Sequence, residues 1–220
     1  MSFYETLHAA TAEARTGLLA IPLIADSLQG RVSRASYLAF LAQAYHHVRH
    51  TTPLLMSLGG CLPERLNWLR RAVADYIGEE IGHEEWILSD IAAAGGDAEA
   101  VRQSRPDLPA EVMVAYAYDL IRRGNPAAFF GMVYVLEGTS VALAIRAADA
   151  MQQTLKLPDA AFTYLRSHGE LDIEHTRRLA ELLDAMTAAD QADVIHAARV
   201  FFKLYGDVFR GLPVGDAPCN

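Results

Sequence analysis

Glycine and proline divide this chain into long stretches with helical periodicity, and none of the intervening segments alternates as a strand would. A helix spans residues 2–17, and Pro22 opens a short piece that Gly30 ends. Ser33 is a suitable N-cap for the next helix, which Pro53 interrupts. Gly59, Gly60 and Pro63 mark a turn before a helix over residues 64–94, which Gly95-Gly96 stops. Pro106 and Pro109 flank a loop, a helix runs on to Arg123, and Gly124-Asn125-Pro126 breaks it. Further helices cover residues 127–153, 159–186 and 188–209. Ala- and Leu-rich helices with short connections bury one stripe each and solvate the other. The expectation is therefore an all-α, single-domain seven-helix bundle over residues 1–212, with an irregular tail at 213–220.

At 220 residues the chain can bury a sizeable core. Its formal charge of −8 argues against nucleic-acid or anionic-membrane partners, which need basic surface. The N-terminal MSFYETLHAATAEAR lacks the basic and apolar regions of a signal peptide, and no apolar stretch is expected to reach membrane-spanning length. Cys61 and Cys219 form no metal or redox motif. A cytoplasmic address is the default expectation.

Against this greasy background a few potential metal ligands stand out. His168, Asp172 and His175 form H-x3-D-x2-H, and the two histidines differ by only about 20° around a helix axis. Glu80-x-x-His83 sets a carboxylate and an imidazole at i, i+3, although Glu79, Glu84 and Glu85 beside them also fit an exposed acidic face. Glu170 and Glu174 leave the same bland reading open for the triplet. Glu137 interrupts the apolar run FFGMVYVLEGTSVALAI, and a buried carboxylate needs a partner, a proton or a metal. Three carboxylates and three imidazoles on three helices are too many for one catalytic ion with open positions, but they suit two ions that share a bridge. Zinc hydrolysis is the alternative chemistry, more often built on three protein ligands. His46 and His50 also stand at i, i+4, and with His47 they are candidates to line a site. Tyr45 and Tyr134 are expected near it. Trp68 and Trp86 read as packing residues.

The stretch IPLIADSLQGRVSRASYLAFLAQAYHHVRHTTPLL resembles the early helices of the heme-oxygenase-like superfamily, which includes heme oxygenases, TenA-type thiaminases, pyrroloquinoline quinone synthase and di-iron oxidases. The di-iron branch carries a Glu and a His on one helix, a Glu on a later one, and H-x3-D-x2-H on a third. Glu80, His83, Glu137, His168, Asp172 and His175 match it one by one, with Glu79 as a neighbour of the first. The resemblance implies two iron ions per chain, with one or none retained on isolation also compatible. It further implies O2 as co-substrate, a small organic substrate such as a fatty acid, amino acid or amine derivative, and a homodimer. Glu80 and His83 would serve one ion and His168, Asp172 and His175 the other, with Glu137 bridging. Phe129, Phe130, Val133 and Val141 would shield the centre from water.

Departures from the other branches narrow the reading. Where true heme oxygenases carry the proximal heme histidine, in a motif similar to ATAEARTGLL, this chain has Arg15. TenA-type thiaminases have an acidic residue after the Gln of the second helix and a mid-chain nucleophilic Cys. Here Ala44 follows Gln43, and no Cys lies between Cys61 and Cys219. A metal-free TenA-like or quinone-synthase-like enzyme, or a small-molecule binder on the same fold, is the alternative function.

Overall fold

The computed structural model describes the backbone of residues 2–214 and all of their side chains except those of residues 170–174. Twelve α-helices and no strand occur among the described residues: α1 (Phe3–Ala10), α2 (Ala12–Leu19), α3 (Pro22–Ser27), α4 (Arg34–Val48), α5 (Thr51–Cys61), α6 (Leu69–Glu80), α7 (His83–Ala93), α8 (Ala98–Gln103), α9 (Leu108–Arg123), α10 (Phe130–Leu155), α11 (Thr163–Asp184) and α12 (Ala188–Gly211). The class agrees with expectation, whereas the count exceeds seven because several expected helices are broken in two. Thr11 separates α1 from α2, and Arg49-His50 separates α4 from α5 just before Pro53. Residues 64–94 divide into a 3-10 turn (Glu64–Leu66), α6 and α7, and α8 adds a short helix before Pro106.

The break between α6 and α7 matters most for function. Ile81 is extended (ψ 121°) and Gly82 takes a left-handed φ of 92°. That conformation is open to glycine and costs an L-residue about 1–2 kcal/mol. Glu80 therefore ends one helix and His83 begins the next, instead of sharing one.

α10 is the central helix, packed along α11 on one side and α12 on the other. Its approach to α12 depends on Gly131, where a Cβ would lie 2.7 Å from the Ala198 backbone nitrogen. The expectation that no apolar stretch reaches membrane-spanning length is corrected here. Pro126–Leu155, α10 with its leading 3-10 turn, is long and apolar enough by length and composition. Half of that apolar window is buried inside the bundle, as a core helix flanked on both sides requires.

The core forms two clusters. One gathers Leu54, Leu69, Phe130, Phe201 and their neighbours, and the other gathers Tyr37, Leu41, Ile87 and Phe162 around the C-terminal half of α10. α11 starts at Thr163 without a capping side chain of its own. The fully buried Asp90 of α7 supplies one, because its Oδ2 accepts the Tyr164 N–H at 2.8 Å.

Two measurements check this architecture. Gly82→Ala has open space around it, so its cost is backbone strain alone. A loss of roughly 1 kcal/mol and a thermal midpoint lower by about 2–4 °C are expected in calorimetry. Burial pushes the Asp90 carboxyl up to about 6, against the hydrogen bonds from Tyr164 and Thr163. A folded-state value above the ordinary one near 4 means that stability is fully present at low pH and is lost as pH rises between about 4 and 6. Urea midpoints should show the wild type losing on the order of 2 kcal/mol relative to Asp90→Asn across that window, with a constant difference above it.

Candidate metal centre

The hinge at Gly82 turns the Glu80 and His83 side chains toward each other, with His83 Nδ1 3.1 Å from Glu80 Oε2. Both are buried, at 8% and 4% exposure, which removes the exposed-acidic-face reading. α11 adds His168. One donor atom from each of Glu80, His83 and His168 lies within 4.8 Å of the others. The Nδ1 of His168 is 3.1 Å from the Tyr164 carbonyl, one helical turn back. A carbonyl only accepts, so Nδ1 carries the proton and the lone pair sits on Nε2, the tautomer that a metal ligand needs.

A second group forms around Glu137 in the N-terminal third of α10. Tyr76 of α6 donates to Glu137 Oε1 at 2.7 Å, and His175 Nδ1 stands 3.6 Å from the same oxygen. The other nitrogen of His175, Nε2, is 3.2 Å from Glu79 Oε2, and Arg178 holds the opposite Glu79 oxygen at 2.5 Å. The carboxylate beside Glu80 is thus part of the arrangement. Asp172 lies outside the described side chains.

This grouping of side chains differs from the expected division. His168 joins Glu80 and His83, while His175 joins Glu137. Near-identical direction around a helix axis is not proximity: seven residues advance the chain by about 10 Å along the axis, too far for two imidazoles to meet at one ion.

Electrostatics favour the charged carboxylate of Glu80. Burial drives its carboxyl up, but the hydrogen bond from His83 and the fields of His83, His168 and His175 outweigh burial and hold it low. Aromatic rings fix the imidazoles. Trp86 stacks on His83 at 3.9 Å between centroids and meets His168 edge-on at 6.0 Å, while Tyr164 lies 4.6 Å from His168. Trp86, read from the sequence as a packing residue, packs on a donor of the site. Trp68 is 42% exposed and does not pack in the core.

Glu80, Glu137, Tyr76 and His168 open on a cavity of about 170 Å³ along the seam between the two core clusters. Its walls are mainly apolar, with Leu54, Phe129, Met132, Val133 and Leu143 nearest in character to an organic solvent. Of the expected shielding residues, Phe129 and Val133 line this space. Phe130 is buried elsewhere in the core, and Val141 is 40% exposed because it faces outward on α10. Tyr45 and Tyr134 do not line it. The Tyr134 hydroxyl meets Thr11, His8 and Arg15 instead.

The three clustered histidines at the end of α4 and the start of α5 diverge. His46 reaches Ser104 at 2.9 Å and His50 reaches Tyr118 at 3.2 Å, so they form no metal pair. His47 alone lines the cavity, and its Nδ1 donates to the Gln43 carbonyl at 3.0 Å. Burial pushes its imidazole down to about 4, with His168 adding to the effect and the Gln43 hydrogen bond opposing it.

The donor set fits a transition metal. Carboxylate oxygen and imidazole nitrogen within 4.8 Å can contract onto an ion at bond lengths near 2.0–2.2 Å, and mixed N/O ligands suit iron. Arg15 donates to Tyr134 and to the His8 carbonyl and offers no ligand.

Known proteins align with this picture. The sequence profile of the family described as iron-containing redox enzyme matches residues 38–206. No curated protein matches the chain. A domain of unknown function with a heme oxygenase-like fold from Shewanella denitrificans superposes with a TM-score of 0.86 at 24% identity, covering 96% of this chain and 91% of that one. A TenA homolog from Pseudomonas syringae gives 0.80 at 12% identity, over 94% of this chain and 91% of that one. The heme oxygenase of Leptospira interrogans gives 0.76 at 14% identity, over 96% of this chain and all of that one (100%). At these identities the likeness is one of fold.

Proposed function

We propose, for a chain that belongs to the heme-oxygenase-like family of iron-containing redox enzymes, the activity of a non-heme iron oxidase or oxygenase acting on a small, largely apolar organic substrate. One observation carries the reading: a carboxylate and two imidazoles from three helices place their donors within 4.8 Å of one another beside an apolar cavity. Glu80, His83 and His168 would hold one ion. Glu137 and His175, with Asp172 of the same helix as His175, would hold a second, Glu137 being the natural bridge because it lines the same cavity as Glu80. Bound ferrous iron would supply the electrons and open coordination positions that O2 activation needs.

The protein's own residues account for the rest of the chemistry. The Tyr164 carbonyl fixes the His168 tautomer, and Trp86 and Tyr164 hold the rings of His83 and His168 in place. Tyr76 orients Glu137 by its hydroxyl. The apolar walls keep bulk water away from a reactive centre and leave the substrate to be held by shape.

The competing reading is a metal-free enzyme or binder of the TenA kind, and the TenA homolog's fold similarity favours it as a scaffold. No cysteine lines the cavity among the described residues, and Cys61 is exposed, so a nucleophile of that type is not at hand.

Iron content separates the two. Anaerobic loading with ferrous iron should give at least one ion per chain, followed by an O2-dependent absorbance change. His168→Ala should weaken iron binding at least tenfold while the helical circular dichroism persists. A wild-type chain that retains less than one iron, or a His168→Ala variant with unaltered iron content, rules out this function.

A further inference from the structure

We propose that His47 is a substrate-binding residue that selects an uncharged molecule with an apolar body and a hydrogen-bond donor, a hydroxyl or an N–H, at its head. The inference rests on the reading of the cavity as a substrate site, but its test needs no iron.

The argument begins with the proton on the imidazole. His47 Nδ1 lies 3.0 Å from the Gln43 carbonyl of its own helix, and a carbonyl can only accept. The proton is therefore fixed on Nδ1, and the neutral ring carries its lone pair on Nε2. With its Nδ1 edge tied to the backbone, a ring that lines the cavity has its Nε2 edge to offer a ligand there. Tyr205 stands edge-on to the ring at 5.9 Å and restricts its rotation.

The rest of the wall explains why such an acceptor selects. No lysine or arginine lines the cavity among the described residues, so a carboxylate head finds no counter-charge from a basic side chain. Several hydroxyls on the wall are turned to backbone. Ser27 donates to Ile24, Tyr37 to Ala161 and Thr139 to Val135. Having given their single proton to a carbonyl, these hydroxyls can still accept from a donor head but do not donate to an accepting one. A buried imidazole acceptor left unmatched by its ligand costs free energy, whereas a matching donor recovers it. The preference follows from this asymmetry.

Three probes of equal tail test it by calorimetric titration of the full chain, chelator-treated and iron-loaded: 1-octanol, octyl methyl ether and octanoate. The alcohol should bind the chelator-treated wild type roughly fivefold to tenfold more tightly than the ether, as expected for one hydrogen bond. His47→Phe should bring that ratio to about one without weakening the ether. His47→Gln, which keeps an acceptor, should retain part of it. A wild-type ratio near one overturns the proposal whether or not His47→Phe folds. So does a ratio that survives in a folded His47→Phe chain, or octanoate binding as tightly as the alcohol in the chelator-treated protein. A chain that takes up no iron yet keeps the ranking sinks the oxidase reading and leaves this one standing.

Discussion

Two carboxylates in an apolar interior impose more order on this bundle than any other feature. Glu80 and Glu137 are 8% and 9% exposed, and an ionised carboxylate in such surroundings persists only with positive or donating neighbours. The neighbours come from different helices. His83 and His168 meet Glu80, and Tyr76 and His175 meet Glu137. Satisfying two charges therefore ties α6, α7, α10 and α11 into one arrangement. Removing one member leaves a buried charge facing a low-dielectric wall, so burial enforces precision on the whole set.

The backbone devices that allow this are small and local. Gly82 lets the chain break its helix so that residues three apart face each other across the break. Asp90, seven residues and about two turns beyond His83 in α7, reaches across to cap α11. The helix carrying Glu80's partner thus also fixes where the helix carrying His168 begins. Position along α11 is set from outside that helix, which matters because an error of one residue there would rotate both histidines away by about 100°.

Much of this was legible in the sequence. The all-helical class follows from punctuation and periodicity, and Glu137 announces itself as the one charge in a long apolar run. The spacing of Glu80 and His83 pointed to their contact, though for a different reason from the observed one. An unbroken helix was expected there, since Gly82 alone is a weak signal among residues that favour helix, and only the tertiary contacts of His83 decide for a break. The H-x3-D-x2-H triplet misled through its periodicity: shared direction hid the distance of about 10 Å along the axis. Tyr76 carried no signal of its own, and Trp86 and Glu79 stood out only as a packing residue and a neighbour of Glu80, because what they do depends on which helix lies opposite, and pairing between distant helices is not written in local pattern.

The cavity lies where it does because the core is not continuous. The first cluster packs around the N-terminal half of α10 and the second around its C-terminal half, and Glu137 stands between them. A carboxylate there prevents the two apolar clusters from closing on each other, since closure would strip it of polar company. The same residue therefore opens the space and offers a ligand to whatever fills it. His47 on α4 lines that space too, its proton pinned to the backbone. Among the described residues the wall carries carboxylates, imidazoles and hydroxyls but no lysine or arginine, with apolar surface elsewhere, and that shortage of fixed positive charge is a property of the fold itself, prior to any metal.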